Sequence, residues 1–493
     1  MRVLRPASIQ RKCVRYLFQG ATPVSREGHQ STNHLEISPG ISVNEYDARR
    51  QAFFASLPDQ CIAILPGAHR QTRTNDILWP LRQDSNFWFL TGFDEAHAIA
   101  VFLKNANDKK FVIFCEETDD HAKLWHGPTI GCAAAVEKYR ADDAFDRRRF
   151  RHQIAALFSD FFRPQRTDRG ILLPSGVPLV YANGVDNEID TFIDKWIANG
   201  TGPASRTAAK QFVDGVKMRK SASEQKMLQK SAKITASMFR AAMGVTAPGE
   251  SEKTLVAAMD FVAQRHGASG FAYVPVVAGG KNALCLHYIR NDARLEPNEL
   301  VMVDAGADYH YYPTDCTRAW PISGAFTEPQ RELYASLLRV QKSLIDKVRP
   351  GQRIGEMQST SEEALLEEML SLGVIPRTAA LSERKSLLQA IYPHGWGHPM
   401  GIDIHEDYPS TCTVFREGMM HTVEPGVYIP HDDRRFPEKF RGIGFRIEDN
   451  VIVGSTGCGP MITTACIPKE LSEIEALVRA GKHSGGQPNL WDF

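Results

Sequence analysis

Two acidic residues, each at the end of a strand-like run, constrain this chain more than any other feature. The run 300–304 is apolar up to Asp304, a turn region follows, and a second extended run carries Asp315. If the two runs pair, the carboxylates converge across the ladder, and two isolated buried acids would face a large desolvation penalty. A bound cation removes that penalty. Acids that cap turns or lie at the surface need no cation, so at this point both interpretations stay open.

A glycine-rich segment further along the chain contains three histidines within twelve residues, His394, His398 and His405. Pro399 and the interspersed glycines argue against a regular helix that presents two histidines on one face. The pattern therefore predicts an irregular loop that presents His398, although a histidine in such a loop is often structural or solvated.

Two further strand-like segments carry Glu424 in one and Arg446 with Glu448 in the other. By the period of two, Arg446 and Glu448 share one face of their strand, while Phe445 and Ile447 share the other. The alternative is an exposed ion pair on a half-buried strand. Glu424 is equally compatible with a strand-end carboxylate that has no function.

Taken together, four carboxylates and one imidazole lie at the ends or faces of strands in one part of the chain: Asp304, Asp315, His398, Glu424 and Glu448. This hard, oxygen-rich set favours a pair of divalent ions, Mn²⁺ first with Zn²⁺ or Co²⁺ as alternatives, over a Cys-rich structural zinc. Two ions that share a water lower its pKa toward neutrality and stabilise an oxyanion. The set therefore predicts hydrolytic chemistry.

The composition excludes several other classes of function. The chain has 58 Lys and Arg against 58 Asp and Glu in 493 residues, so its net charge of zero gives no general attraction to nucleic acid. We find no apolar run of roughly 18 residues, the length that spans a bilayer. The nine cysteines form no CxxC pair, which indicates a reducing compartment rather than a disulfide framework.

The first 26 residues differ from the rest, because they contain six basic residues and no acidic one. Arg11, Lys12 and Arg15 interrupt the apolar positions, so the segment resembles a mitochondrial transit peptide rather than a secretory signal. We predict a leader over residues 1–41 and a mitochondrial location. The alternatives are a disordered basic tail or a misread start site, with a cytoplasmic location.

Helical and strand-like patterns divide the rest of the chain into two domains. From about Val43 a helical stretch alternates with short β-type runs, which predicts an α/β domain over residues 42–214. A Lys-rich helical stretch with Ser221 as a candidate cap then opens an α+β domain over 215–480, and a polar tail follows at 481–493.

The ordered ligand set and its surrounding sequence resemble those of the pita-bread metallopeptidases, the family of methionine aminopeptidase, aminopeptidase P and prolidase. The matching segments are VDAGADYHYYPTDCTR, HGWGHPMGIDIHE, TVEPGVYIP and FRIEDNVIV, together with His287. Segment 81–93 resembles the N-terminal domain of aminopeptidase P, and segment 429–449 resembles its mitochondrial branch, which includes the intermediate-cleaving peptidase. The resemblance covers residues 42–478 and implies an α/β N-terminal domain followed by an α+β pita-bread catalytic domain.

The resemblance also implies a role for each matching residue. Two metal ions would be chelated or bridged by Asp304, Asp315, Glu424 and Glu448, with His398 completing one of them. Glu424 would also take a proton from the attacking water, while His287 and His405 would hold the substrate carbonyl oxygen or deliver a proton to the leaving nitrogen. Arg446 would orient a ligating carboxylate, unless it forms only a structural ion pair.

The function implied by the resemblance is a dinuclear metalloaminopeptidase that releases the N-terminal residue of peptides or proteins, preferentially ahead of proline. The bond ahead of proline is a tertiary amide without an N–H, and an enzyme that binds the free amino end needs no such N–H. Trimming of imported mitochondrial proteins without a strict proline requirement stays open. A prolidase that cleaves only dipeptides and an inactive binding protein of the same fold are the alternatives.

Relatives in this family commonly form dimers or tetramers through the first domain, so the resemblance implies a homo-oligomer. Trp88 and its aromatic neighbours are candidates for a contact with the cleft of another subunit. The alternative is that Phe87, Trp88, Phe89 and Phe93 are core residues of their own domain.

Overall fold

The computed structural model describes residues 36–162, 166–167, 170–171, 176–200 and 202–483. Most of the predicted leader and most of the predicted tail lie outside the described residues. Strands β1 (Glu36–Ser38) and β2 (Ile41–Ser42) form a short hairpin in which Ile41 is buried, so the predicted domain start at residue 42 falls inside a folded element. No helix in the described part of the chain is long and apolar enough to cross a membrane.

The first half of the chain alternates helices and strands, as the α/β prediction requires. Its helices are α1 (Val43–Ser56), α2 (Ser85–Thr91), α3 (Asp120–His126), α4 (Gly131–Tyr139), α5 (Phe150–Phe161), α6 (Asn187–Ala198) and α7 (Lys210–Lys217). Its further strands are β3 (Cys61–Pro66), β4 (Thr72–Thr74), β5 (Ile77–Leu78), β6 (Ile99–Lys104), β7 (Lys109–Cys115), β8 (Asp143–Asp146), β9 (Arg166–Thr167), β10 (Gly170–Ile171), β11 (Pro178–Tyr181) and β12 (Ser205–Ala208).

Six of these strands form one mixed sheet in the order β12-β11-β3-β6-β7-β8. Strands β3, β6 and β7 pair antiparallel, whereas β11 joins β3, β12 joins β11 and β8 joins β7 in parallel. Successive side chains point to opposite faces, so Ala63 and Phe102 pack on the α1 side while Ile62 and Val101 pack on the side of α5 and α6. Burial on both faces explains the continuous apolar runs in the sequence.

The aromatic segment around α2 belongs to the interior. Phe87, Trp88, Phe89 and Phe93 are each at most 1% exposed. The Trp88 ring stacks on Tyr311 from the second half of the chain, with ring centroids 4.4 Å apart. The expectation that Trp88 reaches another subunit is therefore wrong, because its ring has no free surface, and the core interpretation is confirmed.

The second half of the chain is α+β. Its helices are α8 (Ala222–Val245), α9 (Glu252–Arg265), α10 (Glu328–Ile345), α11 (Met357–Ser371), α12 (Leu381–Ile391) and α13 (Leu471–His483). Its strands are β13 (Val276–Gly279), β14 (Leu300–Asp304), β15 (Asp308–Tyr309), β16 (Tyr312–Pro313), β17 (Thr317–Pro321), β18 (Met420–Val423), β19 (Gly426–Tyr428), β20 (Gly444–Arg446), β21 (Asp449–Ile452) and β22 (Met461–Ile462).

These strands form small antiparallel sheets whose ends face one cavity. Three-stranded sheets have the orders β13-β14-β17 and β18-β21-β22, and β19 pairs with β20. Helix α9 packs against β13, α13 packs against β17, and α10 packs against β18. The helices thus cover the outer faces of the sheets and leave the strand ends free to carry functional side chains.

The two halves meet through buried contacts. The predicted boundary at residues 214–215 falls inside α7, and α8 begins with a capping box between Ser221 and Glu224. The Arg49 guanidinium of α1 lies 3.0 Å from the Tyr312 hydroxyl. Tyr312 and Met400 from the second half also belong to the hydrophobic core around α1 and α2. That core is therefore built from both halves of the chain.

Candidate metal centre

The pairing of β14 with β17 brings the first two acids together. The register places Asp304 opposite Thr317, and Asp315 stands two residues before Thr317. The Asp315 amide donates to the Asn450 side-chain oxygen at 3.0 Å, which fixes the backbone that carries this carboxylate. The convergence expected from the sequence is thus present, because both acids lie at the same end of the ladder.

His398 is presented by an irregular loop that is hydrogen-bonded to β18. The His398 amide donates to the Thr422 hydroxyl and the Thr422 amide donates to the His398 carbonyl, each at 2.9 Å. Glu424 follows β18 directly, and its amide donates to the Trp396 carbonyl at 2.8 Å. His398 Nε2 consequently lies 3.4 Å from Asp315 Oδ2 and 3.5 Å from Glu424 Oε1.

The last acid comes from the segment that joins β20 to β21. The sequence suggests one strand here, but the structure has two, because β20 pairs with β19 whereas β21 pairs with β18. The predicted alternation still holds, since Phe445 and Ile447 lie in the core while Arg446 and Glu448 line the cavity. The Thr317 hydroxyl donates to Glu448 Oε2 at 2.8 Å.

All residues predicted for the site line one cavity of about 280 Å³. Ligand atoms within 4.8 Å of one another form three overlapping groups: Asp304, Asp315 and Glu448; His398, Glu424 and Glu448; and Asp315, His398 and His405. His287 and His405 are exposed on the rim, and the His405 ring centroid lies 4.3 Å from that of His398.

The electrostatics of the cavity suit a cation. Burial raises the pKa of Glu448 well above its usual range, and the charges of Asp315 and Glu424 raise it further. Burial, with Asp315, also raises the pKa of Glu424 to about 7. Burial alone would lower the pKa of His398, but its hydrogen bond and charge interaction with Asp315 outweigh burial and raise it to about 9. Carboxylates that repel one another in this way fit divalent ions, which offset their mutual repulsion.

Arg446 contacts Asp304, the first of the acids. Its guanidinium forms an ion pair with Asp304 and its Nε donates to the Thr317 hydroxyl at 2.9 Å. Because Thr317 in turn donates to Glu448, Arg446 is connected to two of the carboxylates. The side chain is only 4% exposed, so the exposed ion pair considered from the sequence alone is excluded.

Sequence reasoning missed Tyr273. Its hydroxyl lies 2.6 Å from Asp304 Oδ1 and 2.7 Å from Asp315 Oδ1, so it bridges the first two acids. The only signal is positional, because Tyr273 stands three residues before Val276, which pairs with Asp304. His394 also lines the cavity, and its Nε2 lies 3.1 Å from the Tyr428 hydroxyl.

A cluster of strand-end carboxylates and one histidine, in an α+β domain preceded by an α/β domain, defines a two-domain metallopeptidase. In agreement, residues 226–455 match the model of metallopeptidase family M24, and residues 46–161 match the N-terminal domain of aminopeptidase P. The chain belongs to the aminopeptidase P family, with a pita-bread catalytic domain, and is a metalloaminopeptidase that acts on peptides.

The similarity to individual members extends over nearly the whole chain. Xaa-Pro aminopeptidase 3 of Mus musculus is 32% identical, with 96% of this chain and 93% of the relative covered. The mitochondrial intermediate cleaving peptidase 55 of Arabidopsis thaliana is 29% identical, with 98% and 92% covered. The solved structure of aminopeptidase P from E. coli with the inhibitor Pro-Leu is 29% identical, with 90% and 99% covered and a TM-score of 0.81.

Proposed function

We propose that this protein is a dinuclear Xaa-Pro aminopeptidase, which releases the first residue of a peptide when proline is second. The observation that carries the proposal is the convergence of four carboxylates and one imidazole in a cavity that has exposed histidines at its rim. We assign metal ligation to Asp304, Asp315, His398, Glu424 and Glu448. Four carboxylates, each with two oxygens, and one imidazole would supply enough donor atoms for two ions.

The donor chemistry favours Mn²⁺ as the native metal, with Zn²⁺ or Co²⁺ as alternatives, because oxygen donors dominate the set. When bound, such ions supply an activated water and stabilise negative charge on the substrate carbonyl oxygen. The repulsion among Asp315, Glu424 and Glu448 supports this assignment, since the charge of the ions would offset it.

The protein side chains handle the protons and the orientation of the substrate. Glu424, which lines the cavity beside the other carboxylates, accepts a proton from the attacking water and passes it toward the leaving nitrogen. His287 and His405 stand at the rim, where they bind the carbonyl oxygen of the substrate or protonate the leaving group. Arg446 orients Asp304 through their buried ion pair.

A preference for proline is consistent with the chemistry of the bond. Peptidases that grip the amide N–H fail at X-Pro bonds, which have none, whereas recognition of the free amino end avoids this requirement. The inhibitor Pro-Leu in the E. coli relative has the form of the product that follows cleavage ahead of proline. This supports binding of proline on the leaving side of the cavity.

We further propose that the protein trims imported proteins in mitochondria. The Arabidopsis thaliana relative is named as mitochondrial, and the basic, acid-free N-terminus is typical of a transit peptide. A cytoplasmic location is the alternative. We also assign the leader to residues 1–41, the N-terminal domain to 42–214, the catalytic domain to 215–480 and the tail to 481–493, and we expect a homo-oligomer.

The test is release of the N-terminal residue from matched peptides with and without proline at position two, using the full chain loaded with Mn²⁺. A Glu424→Gln variant tests the assigned base, and Glu417→Gln, at an exposed position, is the matched control. We expect release that depends on proline and on metal, that is lost in Glu424→Gln and that is unchanged in Glu417→Gln.

The other results distinguish the alternatives. Release from both peptides would support trimming without a proline requirement. Activity on dipeptides alone would favour a prolidase. The absence of metal-dependent release from either peptide would contradict the proposal and favour a binding protein of the same fold.

A further inference from the structure

A buried carboxylate outside the cavity organises the loop that carries His287. Glu252 is the first residue of α9 and is 0% exposed. It accepts four hydrogen bonds: Gly279 amide to Oε1 at 2.8 Å, Asn282 side chain to Oε1 at 3.0 Å, Tyr288 hydroxyl to Oε2 at 2.9 Å and Ala293 amide to Oε2 at 2.9 Å. All four donors are neutral groups.

The four donors belong to one loop and to the strand end from which it starts. The loop, residues 280–299, connects β13 to β14, and β14 ends at Asp304. Gly279 lies at the start of this connection and Ala293 lies beyond its midpoint, so a single carboxylate ties down both sides of the loop. The Glu252 amide also donates to the Ala293 carbonyl at 2.9 Å, so Glu252 and Ala293 are joined by two hydrogen bonds.

His287 stands between two anchors of this loop. On one side, the Leu286 carbonyl accepts from Arg446 at 3.4 Å, and Arg446 also pairs with Asp304. On the other side, the Tyr288 hydroxyl donates to Glu252. The exposed imidazole itself has little packing to hold it, so the anchors of its two chain neighbours determine where it lies at the rim of the cavity.

The chemistry of Glu252 suits such a role. A buried carboxylate is costly unless its oxygens are satisfied, and four donors with the N-terminus of α9 supply that compensation. Because the donors come from the loop, the loop can rearrange only by leaving Glu252 unsatisfied. The cost of burial therefore becomes a restraint on loop geometry.

We propose that Glu252 is a positioning residue for catalysis, which acts through Tyr288 on His287. The proposal deepens the function given above and rests on the role assigned there to His287. Glu252 touches neither the cavity nor the proposed ligands. Its effect should therefore appear in substrate handling and not in metal content.

A double-mutant cycle between Tyr288→Phe and His287→Ala tests the proposal in the full chain loaded with Mn²⁺. Tyr288→Phe removes one hydroxyl and keeps the ring, so it is a smaller change than any substitution of Glu252. In the presence of His287 we expect Tyr288→Phe to lower kcat/KM on the order of tenfold, and in the His287→Ala protein to lower it by less than about twofold. Bound metal, measured after gel filtration, should be unchanged in all four proteins.

Two further measurements separate positioning from general destabilisation. The affinity of the holoenzyme for the dipeptide Pro-Leu, measured by calorimetry, should weaken in Tyr288→Phe by a factor similar to that in kcat/KM. Tyr46→Phe is the matched control, because it removes the hydroxyl of a buried tyrosine that is hydrogen-bonded to Ser38 in the first domain. It should leave both quantities unchanged. Glu252→Gln, if it folds, should reproduce the effects of Tyr288→Phe.

Each other outcome counts against the proposal. Equal losses from Tyr288→Phe with and without His287, or no loss at all, would show that Tyr288 does not act through His287. If His287→Ala alone leaves kcat/KM unchanged, His287 needs no positioning and the proposal fails. The proposed aminopeptidase function is judged separately by Glu424→Gln, so the two failures remain distinguishable.

Discussion

Glu448 and Asp449 are adjacent, fully buried carboxylates with opposite surroundings. Asp449 is 0% exposed and lies 2.7 Å from Arg318, 2.5 Å from Lys469, and 2.7 Å from both Gln341 and Thr464. Glu448 instead faces other acids across the cavity. Because successive residues of an extended chain point to opposite sides, one peptide unit separates a structural charge from a proposed metal ligand.

The pKa shifts follow the same division. Burial raises the pKa of both groups, but Arg318 and Lys469 overcome burial at Asp449 and lower its pKa to about 2. At Glu448 the neighbouring acids add to burial and the pKa rises. Burial alone therefore does not mark a functional acid. At Glu448 the acids of the cavity outnumber the nearby cation Arg446, whereas two cations contact Asp449 directly.

Among the changes that test the difference between the two buried acids, loss of the Glu448 charge should have the largest effect, and the effect should be on activity. Glu448→Gln keeps the shape and the hydrogen bond from Thr317 but removes a charge that the proposed metal ions would require. We expect kcat/KM to fall by about four orders of magnitude, because a catalytic unit loses an essential member. Peptide release and metal content after dialysis measure the loss.

The metal-free Glu448→Gln protein should be at least as stable as the metal-free wild type, since one repelling carboxylate is gone. Glu417→Gln serves again as the exposed control. A marked fall in the unfolding temperature of metal-free Glu448→Gln would contradict this assignment, because it would make Glu448 a structural charge like its neighbour.

The next effect concerns stability. Asp449→Ala leaves the buried Arg318 and the Lys469 ammonium without their shared partner, which should lower the free energy of unfolding by about 3–5 kcal/mol. Urea denaturation measures the change. Glu367→Ala, which breaks an exposed ion pair with Arg377, should leave stability nearly unchanged. If both variants behave alike, the distinction between the two buried acids is lost.

A smaller effect should appear as the pH falls. The pKa of Asp449 is lower in the folded chain than in the unfolded chain, so its stabilisation is complete above about pH 4 and is lost as the pH falls toward 2. This pH-dependent contribution of Asp449 to the free energy of unfolding amounts to about 2 kcal/mol. Denaturation of metal-free protein between pH 5 and 2.5 measures it, and Asp449→Asn should lack it. An identical pH profile in the variant would assign acid unfolding to other groups.

The smallest effect tests the bridge between the first two acids. Tyr273→Phe removes the hydroxyl that contacts both Asp304 and Asp315 and should weaken metal binding by about tenfold. Competition with a coloured chelator measures the dissociation constant. Tyr46→Phe is the control for loss of a buried tyrosine hydroxyl. Unchanged affinity in Tyr273→Phe would mean that the two carboxylates keep their geometry without it.

The sequence predicts elements that depend on local patterns. The apolar runs 61–65, 98–103 and 110–115 predict buried strands, and β3, β6 and β7 lie within a residue of those bounds. The start of α8 directly after Ser221 follows from a capping box that is visible in the sequence. The acids of the site could be predicted from the sequence for a related reason, since each stands at the end of a recognisable strand.

Contacts between neutral residues that are distant in the sequence could not be predicted from it. Tyr273 and Thr317 carry no charge and repeat no pattern, and only the register of β13, β14 and β17 brings them to the acids. The stacking of Trp88 on Tyr311 joins residues from different domains, so an aromatic run alone left its partner undefined. What the sequence cannot supply is therefore long-range register, which depends on the assembled fold.

The hydrophobic core that joins the two halves has a consequence for folding. Since Tyr312 and Met400 complete a core otherwise built around α1 and α2, neither half can unfold without exposing the apolar surface of the other. Heat should therefore melt the chain in one cooperative transition rather than two. A fragment that begins at residue 215 would expose this apolar surface to solvent and aggregate, so the two domains depend on each other for solubility as well as for stability.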